Sequence, residues 1–348
     1  MSNYILQNEN GVYFESGYSC DNVIYLSIGG DKYFITDARY EIEAKLFTKN
    51  CEVVISNDLI KSTRKIIKKS CNSTGTRTKI KKINFDPNDF TLASYEKLKN
   101  NLDVKFIQKP NFSKLKRRIK SDDEIKLIKK AMKLGRVGFE KFSEYLQKDG
   151  LEKSEKYLFF KAKEFMSNSG ELDLSFDPIV AINQNSAKPH ALPTSKILKN
   201  NDLLLVDAGV KYKRYCSDRT CTSSFNKNIT FKREQKFKTK KEQKIYDIVL
   251  KAQQTAIEKA RVGMKALQID KFARDVIEKA GYGKQFVHST GHGVGLDIHE
   301  YPNINSKSDI IIENNMVFTI EPGIYLNDKF GVRIEDTVVM KKGLATIL

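Results

Sequence analysis

The sequence lacks the features that mark a membrane-embedded or secreted protein. It has no apolar run approaching the ~20 residues that span a bilayer as a helix. Its first ten residues contain no basic segment leading into an apolar core, so we expect no signal peptide. The five cysteines are scattered and form no CxxC pair, which argues against a disulfide framework and a zinc ribbon. We therefore expect a cytoplasmic protein with free thiols.

The sequence also lacks a concentrated basic patch, although its net charge is +18. Such a charge raises nucleic-acid binding as an alternative function. The lysines, however, are spread along the whole chain. The densest stretch, residues 227–244, mixes in glutamates and holds only two aromatic residues, Phe231 and Phe237. This pattern favours a solvated surface segment, and we expect neither nucleic acid nor a membrane as a partner.

The length of 348 residues and the apolar content of 40% suit two domains. In the first region, strand patterns on either side of Gly29-Gly30 predict a hairpin. Helical patterns cover residues 38–49 and 87–100. Lys109-Pro110 marks a break, because a residue that precedes proline is steered away from helix.

A second region begins near residue 118, where Ser121 followed three residues later by Glu124 predicts a capping box and a helix start. The predicted domains are residues 1–118 and 119–348. Helices dominate to about residue 168. The remaining predicted elements are helices at 241–261 and 266–280 and strands at 178–183, 203–210, 215–225, 286–288, 316–325 and 331–340. Both halves of this region offer helices followed by acidic hairpins.

Histidine is scarce, and its placement is uneven. The four histidines are His190, His288, His292 and His299. Three of them lie inside one stretch of twelve residues, 288–299, which also holds glycines at 291, 293 and 295. The fourth lies between prolines. The glycines exclude a stable helix, so the histidines at 288 and 292 are not the helical pair of an HExxH zinc protease. We expect these glycines to let the backbone approach a bound group.

Four carboxylates lie in otherwise apolar strands. Asp207 lies in the run from Leu203 to Ala208, where an unpaired charge is costly to bury, and Asp218 follows shortly after. A tight reversal at Tyr212-Lys213 would place these two aspartates opposite each other. Two like charges facing across a hairpin destabilise it unless a cation lies between them.

The same arrangement recurs downstream. Glu321 ends one apolar strand and Glu335 lies in the next, after a turn around Asn327, so the two glutamates face each other if the strands pair. Arg333, two residues before Glu335, points to the same side. Four carboxylates and an imidazole favour a hard or borderline divalent ion such as Mn²⁺ over a thiolate zinc site. Two such ions balance the four carboxylates, whereas one leaves two negative charges. The alternative is four separate buried acids, each paired with a lysine or an arginine.

At this point the sequence resembles a known family. Asp207, Asp218, His292, Glu321 and Glu335, in this order and spacing, are similar to the five metal ligands of the creatinase/aminopeptidase P/methionine aminopeptidase superfamily. The surrounding segments resemble that family over residues 180–340. More weakly, residues 34–40 and 116–125 resemble its creatinase-type N-terminal domain. The resemblance implies an α+β or α/β fold, with that N-terminal domain followed by a pita-bread catalytic domain.

An N-terminal domain of this type implies the proline-specific branch, aminopeptidase P and prolidase. The implied activity is metal-dependent hydrolysis of the Xaa-Pro bond, releasing the first residue from peptides with proline second. The alternatives are a prolidase restricted to Xaa-Pro dipeptides and a metal-free binding protein of the same fold. The implied cofactors are two divalent ions, with Mn²⁺ expected and Co²⁺ or Zn²⁺ as alternatives. A homodimer is the family expectation.

The resemblance also implies roles for individual residues. Asp207 would chelate one ion and His292 the other, and Asp218, Glu321 and Glu335 would be shared between them. His190 would stabilise the oxyanion, and Glu321 would carry a proton to the leaving proline nitrogen. The implied substrate-binding residues are His190, His288 and His299, and His299 is also an implied catalytic residue. Arg333 would hold Asp207 and Glu335.

Overall fold

The computed structural model describes residues 3–71 and 80–348, which divide into two compact units, Met1–Arg117 and Arg118–Leu348. The domain boundary near residue 118 stays our proposal. Among the described residues, no helix is long and apolar enough to cross a membrane. The expectation of no signal peptide stays a prediction as well, and Met1 and Ser2 lie outside the described residues.

The first unit is built on one mixed sheet of six strands in the order β4-β3-β2-β1-β5-β6. Its strands are β1 (Tyr4–Leu6), β2 (Val23–Ile28), β3 (Asp31–Thr36), β4 (Glu52–Ile55), β5 (Lys82–Phe85) and β6 (Lys105–Gln108). Its helices are α1 (Glu9–Ser16), α2 (Glu41–Phe47), α3 (Leu59–Cys71), α4 (Leu92–Lys99) and α5 (Phe112–Lys116). The predicted hairpin across Gly29-Gly30 is confirmed, since β2 and β3 pair antiparallel on either side of it.

Both helices predicted in this unit are shorter than expected. Residues 38–49 contain a 3₁₀ turn, Ala38–Tyr40, followed by the seven residues of α2. In the second case α4 begins five residues after Pro87, because the side chain of Thr91 caps the helix by accepting from the Ser94 N–H. The spacing of the apolar residues predicted that a helix is present, whereas the capping residue Thr91 determines where α4 starts.

The second unit combines four helices with antiparallel strands. Its helices are α6 (Asp122–Asp149), α7 (Glu155–Met166), α8 (Lys240–Lys259) and α9 (Ala266–Lys279). Its first strands are β7 (Ile179–Ile182), β8 (Leu203–Ala208), β9 (Lys211–Tyr212), β10 (Tyr215–Cys216) and β11 (Arg219–Ser224). Its later strands are β12 (Gly291–Gly293), β13 (Glu300–Ile304), β14 (Val317–Ile320), β15 (Gly323–Leu326), β16 (Phe330–Arg333), β17 (Asp336–Lys341) and β18 (Leu344–Ile347).

Each helix pair of this unit packs on its own part of the strands. Helices α6 and α7 share a core with β7 and β8, whereas α8 and α9 share a core with β14, β16 and β17. The predicted capping box of Ser121 and Glu124 is present at the start of α6. The two halves therefore repeat the order helix pair, then acidic strands, that the sequence indicated.

The predicted strand at 286–288 is wrong, and β12 lies instead at Gly291–Gly293. Three predicted long strands are each split in two by non-strand residues at 217–218, 321–322 and 334–335. Each of these breaks contains one of the predicted carboxylate ligands. A residue outside the regular strand hydrogen bonding does not have to follow the alternation of side chains between the two faces of a sheet. The breaks therefore allow acidic side chains from different strands to point into the same cavity.

Candidate metal centre

The nine residues singled out in the sequence all line one cavity of about 630 Å³ in the second unit. They are Asp207, Asp218, His292, Glu321, Glu335, His190, His288, His299 and Arg333. A cavity of this size lies within the range of about 300–1,000 Å³ that is typical of small-molecule sites. The predicted site residues are thus brought together, although they come from five separate stretches of the chain.

The two aspartates do not face each other as predicted. Strand β8 pairs with β11 so that Asp207 lies opposite Thr220. The hairpin reverses at Lys213-Arg214, both of which have positive φ (47° and 71°), one residue later than expected. Moving a turn by one residue moves the pairing by two, so Asp218 is a diagonal neighbour of Asp207 and not its direct partner.

The two glutamates follow the predicted arrangement. Ile320 pairs with Asp336 on one side of the break, and Gly323 pairs with Arg333 on the other. Continuing either register places Glu321 opposite Glu335. Both side chains reach the cavity, where the Glu321 carboxylate also accepts a hydrogen bond from the Thr319 hydroxyl at 3.1 Å.

The imidazole of His292 presents an acceptor to two carboxylates. Its Nδ1 lies 3.1 Å from the carbonyl oxygen of Gly293, so that nitrogen carries the proton. Burial lowers the pKa of His292, which keeps the ring neutral. The lone pair of Nε2 then faces Asp218 Oδ2 at 3.5 Å and Glu321 Oε1 at 3.3 Å. Such a cluster of acceptors repels itself unless protons or a cation lie between them.

Further oxygens of the cluster are buried without donors. Asp207 Oδ1 and Glu335 Oε1 have no hydrogen-bond partner in the described part of the chain. Ligand atoms of Asp218, His292 and Glu335 lie within 4.8 Å of one another, a spacing that suits one divalent ion. Orphaned buried acceptors next to an imidazole lone pair fit metal ligands and do not fit acids that are each paired with a lysine.

The electrostatics of the carboxylates support the same assignment. Burial, and then the neighbouring charge of Glu335, raises the pKa of Asp218 well above its usual value. Burial and the charge of Glu321 do the same to the pKa of Glu335. Burial raises the pKa of Glu321 to about 7. Without a cation, these acids therefore hold protons that a bound metal ion would displace.

Arg333 is the cation that the cluster does possess. Its NH2 group donates to Asp207 Oδ2 at 2.7 Å, so the predicted contact with Asp207 is present. The predicted contact with Glu335 is indirect. Arg333 Nε donates to the Thr220 hydroxyl, which donates to Glu335 Oε2 at 2.7 Å. The arginine thus orients both carboxylates while leaving one oxygen of each unbonded.

Two residues that contact this network were not singled out in the sequence. The Tyr325 hydroxyl accepts from Arg333 at 2.9 Å and lies 2.9 Å from His288 Nε2. Because arginine only donates, the tyrosine proton goes to His288, whose pKa is lowered to about 4 by burial. Thr220 is the other missed residue. The polar residues at 218, 220 and 222 share a period of two, a signal that could have identified it.

The glycines of the histidine-rich stretch make room for neighbouring strands. A Cβ at Gly291 would lie 1.9 Å from the Thr319 carbonyl oxygen, and one at Gly293 would lie 2.3 Å from that of Tyr301. These glycines therefore let β12 fit closely between its neighbouring strands. The expectation that they also let the backbone approach a bound group stays a prediction, and Gly291 lies at the cavity wall.

The remaining two histidines, His190 and His299, are both exposed at the cavity. The ring of His299 contacts that of His292 edge-on, with centroids 4.3 Å apart. His190 is exposed at the cavity wall. The same cavity has an apolar side that suits apolar substrate groups, formed by Phe159, Phe176, Pro178, Ile179, Leu192 and Ile298.

Comparison with known proteins identifies the family to which this geometry belongs. The profile of Metallopeptidase family M24 matches residues 126–342, well over half of the chain. The chain belongs to metallopeptidase family M24. The profile of the Creatinase/Prolidase N-terminal domain matches residues 1–120. The predicted fold class, a creatinase-type N-terminal domain with a pita-bread catalytic domain, is thereby confirmed.

A curated relative is similar to this chain over most of its length. An uncharacterized peptidase of Bacillus subtilis, YqhT, is 34% identical over 316 residues, which are 90% of this chain and 84% of that protein. Several further relatives are matched over only 60–62% of their own length.

Two solved structures are similar to this chain over nearly its whole length. An Xaa-Pro dipeptidase from Bacillus anthracis has a TM-score of 0.88 at 32% identity and covers 99% of this chain and 92% of its own. An X-Pro aminopeptidase from Thermotoga maritima has a TM-score of 0.85 at 30% identity and covers 100% of this chain and 95% of its own.

Proposed function

We propose that this M24 peptidase is an Xaa-Pro aminopeptidase that binds two divalent metal ions and releases the first residue from peptides with proline second. The observation that carries the proposal is the lone pair of His292 facing Asp218 and Glu321 inside the cavity. The names of the similar structures, an Xaa-Pro dipeptidase and an X-Pro aminopeptidase, support the choice of a bond to proline.

The proposed ligands are Asp207, Asp218, His292, Glu321 and Glu335. Bound divalent ions supply Lewis acidity and a water nucleophile of lowered pKa. Oxygen-rich ligation favours Mn²⁺, with Co²⁺ and Zn²⁺ as alternatives. Two ions are supported by the charge of the site, since Arg333 offsets only part of the charge of four carboxylates, of which Asp207, Asp218 and Glu335 are buried.

The other site residues act on the substrate. A bond to proline has no N–H, so the protein cannot hold it through an amide donor and must polarise its carbonyl oxygen. His190, exposed at the cavity wall, is the proposed donor to that oxygen. Glu321, which lines the same cavity, is the proposed proton carrier to the leaving nitrogen. His288 and His299 shape the pocket for the substrate, and Arg333 keeps Asp207 in place.

Substrate length distinguishes this proposal from its nearest alternative, a dipeptide-restricted prolidase. We expect tripeptides of the form Xaa-Pro-Yaa to be cleaved with a kcat/KM at least equal to that for Xaa-Pro. The measurement is release of the first residue from matched peptides with Mn²⁺ present, and Xaa-Ala-Yaa serves as the control that stays intact. Cleavage of the dipeptide alone would identify a prolidase, and cleavage of neither would refute the proposed specificity.

Metal binding should tighten as the pH rises. The raised pKa values of Asp218, Glu321 and Glu335 mean that protons compete with the ions at low pH. In the metal-free protein, the stability that Glu321 contributes is complete below its ordinary pKa of 4.5 and is lost as the pH rises through about 7. Metal ions relieve this loss, so Mn²⁺ should raise the Tm more at pH 8 than at pH 6.

The measurement is thermal unfolding of EDTA-treated protein, with and without Mn²⁺, at both pH values. Activity should vanish with the chelator and return with Mn²⁺ or Co²⁺. Asp218→Ala serves as the control, with little Tm gain at either pH. An equal gain of wild type at pH 6 and pH 8, or full activity in excess EDTA, would contradict this account of the site.

A further inference from the structure

Glu155 is a buried carboxylate outside the metal centre. It is the first residue of α7 and is fully buried. Its Oε1 accepts from the Ile182 N–H at 2.6 Å. Its Oε2 accepts from Asn185 Nδ2 at 2.9 Å and from the N–H and hydroxyl of Thr194 at 2.7 and 2.5 Å. All four donors are uncharged, so these bonds and the N-terminal end of α7 stabilise the negative charge.

The donors to Glu155 lie at the two ends of the segment that carries His190. Ile182 is the last residue of β7, and Thr194 follows Pro193 at the far end of the segment. Asn185 ties the ends together, because its Nδ2 also donates to the Leu192 carbonyl at 2.9 Å. The backbone of α7 adds a further contact, since the N–H of Lys156 donates to the Thr194 carbonyl at 3.1 Å.

The position of His190 depends on this backbone. Its side chain is exposed and makes no hydrogen bond within the described part of the chain. The nearest anchor on the cavity side is the preceding residue, Pro189, whose carbonyl accepts from Arg333 at 3.1 Å. Glu155 is the anchor at the two ends of the segment, where it binds Ile182 and Thr194. When the hydrogen bonds at the two ends of the segment are lost, the segment can move and the imidazole moves with it.

We propose that Glu155 is a positioning residue for the peptidase reaction: it closes the base of segment 182–194 and so holds His190 where it can donate to the scissile carbonyl. The inference rests on the proposed function, which gives His190 that role. Glu155 touches neither substrate nor the metal ligands. Its effect should therefore reach the reaction through this segment, and its effect on kcat through His190.

Glu155→Gln tests this proposal with almost no change in volume. A glutamine replaces one of the two acceptor oxygens by an NH₂ group. Whichever oxygen is replaced, this NH₂ group donates where an acceptor is needed, either toward the N–H of Ile182 or toward the donors of Asn185 and Thr194. We expect kcat to fall roughly ten- to a hundredfold, as for a displacement of a catalytic group by about 1 Å. Metal content and KM should stay near wild type. The matched control is Glu164→Gln, which removes a surface ion pair with Lys161 on the same helix and should leave kcat unchanged.

A double-mutant cycle separates positioning from a general loss of structure. In a His190→Ala background, Glu155→Gln should lower kcat less than about twofold, because the group that it positions is already gone. Should Glu155→Gln fail to fold, Thr194→Val removes one of the four bonds and should show a smaller fall in kcat with the same lack of additivity. Normal kcat in both variants, or equal losses with and without His190, would overturn the proposal.

Hydrogen exchange tests the segment independently of activity. Peptides covering residues 183–194 should exchange faster in Glu155→Gln than in wild type, while peptides from α6 stay unchanged. If wild type cleaves no Xaa-Pro substrate but the segment loosens as expected, the proposed function is wrong and the anchoring by Glu155 stands. If wild type is active and the segment exchanges normally in the variant, the anchoring is wrong and the proposed function stands.

Discussion

Asp218→Ala and Glu335→Ala should each lower kcat/KM about a thousandfold or more, since metal ions supply several kcal/mol of transition-state stabilisation. Both side chains belong to the cluster whose ligand atoms lie within 4.8 Å of one another with His292. Neither can be replaced by a neighbour. Asp207 lies diagonally across from Asp218, but one oxygen of Asp207 already accepts a hydrogen bond from Arg333. Glu321 already faces the lone pair of His292.

Stability separates this expectation from a simple loss of fold. The raised pKa values of Asp218 and Glu335 show that ionising them inside the cluster is unfavourable. Replacing one by a neutral side chain of similar shape, as in Asp218→Asn or Glu335→Gln, should leave the metal-free protein as stable as wild type or more so at pH 8. Metal content, Tm and kcat/KM should be measured on all four variants. If either alanine variant keeps more than about a tenth of wild-type kcat/KM, a loss of only ~1.4 kcal/mol, that residue is not a ligand.

The sequence indicated which residues line this cavity better than it indicated how their strands pair. An aspartate or glutamate inside an apolar strand needs a partner, and this requirement holds whatever the register. The register of β8 and β11 depends on the turn, and the turn residues Lys213 and Arg214 carry none of the glycine or asparagine signals of a two-residue hairpin with positive φ. A one-residue error there was enough to mispair Asp207 and Asp218.

Strand interruptions were the second feature that the patterns concealed. Residues 316–325 read as one strand because both halves are apolar, yet β14 ends at Ile320 and β15 starts at Gly323. The break at Glu321-Pro322 is a consequence of tertiary structure, since β14 pairs with β17 and β15 with β16 in separate sheets. Hydrophobic periodicity reports burial and does not report a change of sheet.

The networks around the ligands were the hardest to predict. Tyr325 contacts His288, and Glu155 contacts Ile182 and Thr194, and in each case the partner is distant in sequence. Nothing local marks a glutamate in the first turn of a helix as different from an ordinary helix-start acid. Such residues become visible only when the strands that they contact are in place.

Replacing His292 and replacing His190 should have different effects, the first on metal content and the second on kcat. His292 presents Nε2 to Asp218 and Glu321 within the buried cluster, so His292→Ala should lose metal. His190 lies exposed at the cavity wall and reaches the site on a segment that is anchored elsewhere, so His190→Ala should keep the metal content of wild type. Its loss should be seen in kcat alone.

The expected size of that loss follows from the proposed role of His190. Removing one donor to a developing oxyanion typically costs ~3 kcal/mol, which is roughly a hundred- to a thousandfold in kcat, while substrate affinity changes little. Metal content by elemental analysis and kcat and KM on Xaa-Pro-Yaa should be measured for both variants, with His299→Ala alongside, since His299 contacts the His292 ring from within the same cavity. If the His190→Ala protein is depleted of metal, this histidine either binds the metal or positions a residue that does. A His190→Ala protein with normal kcat would show that this histidine takes no part in the reaction.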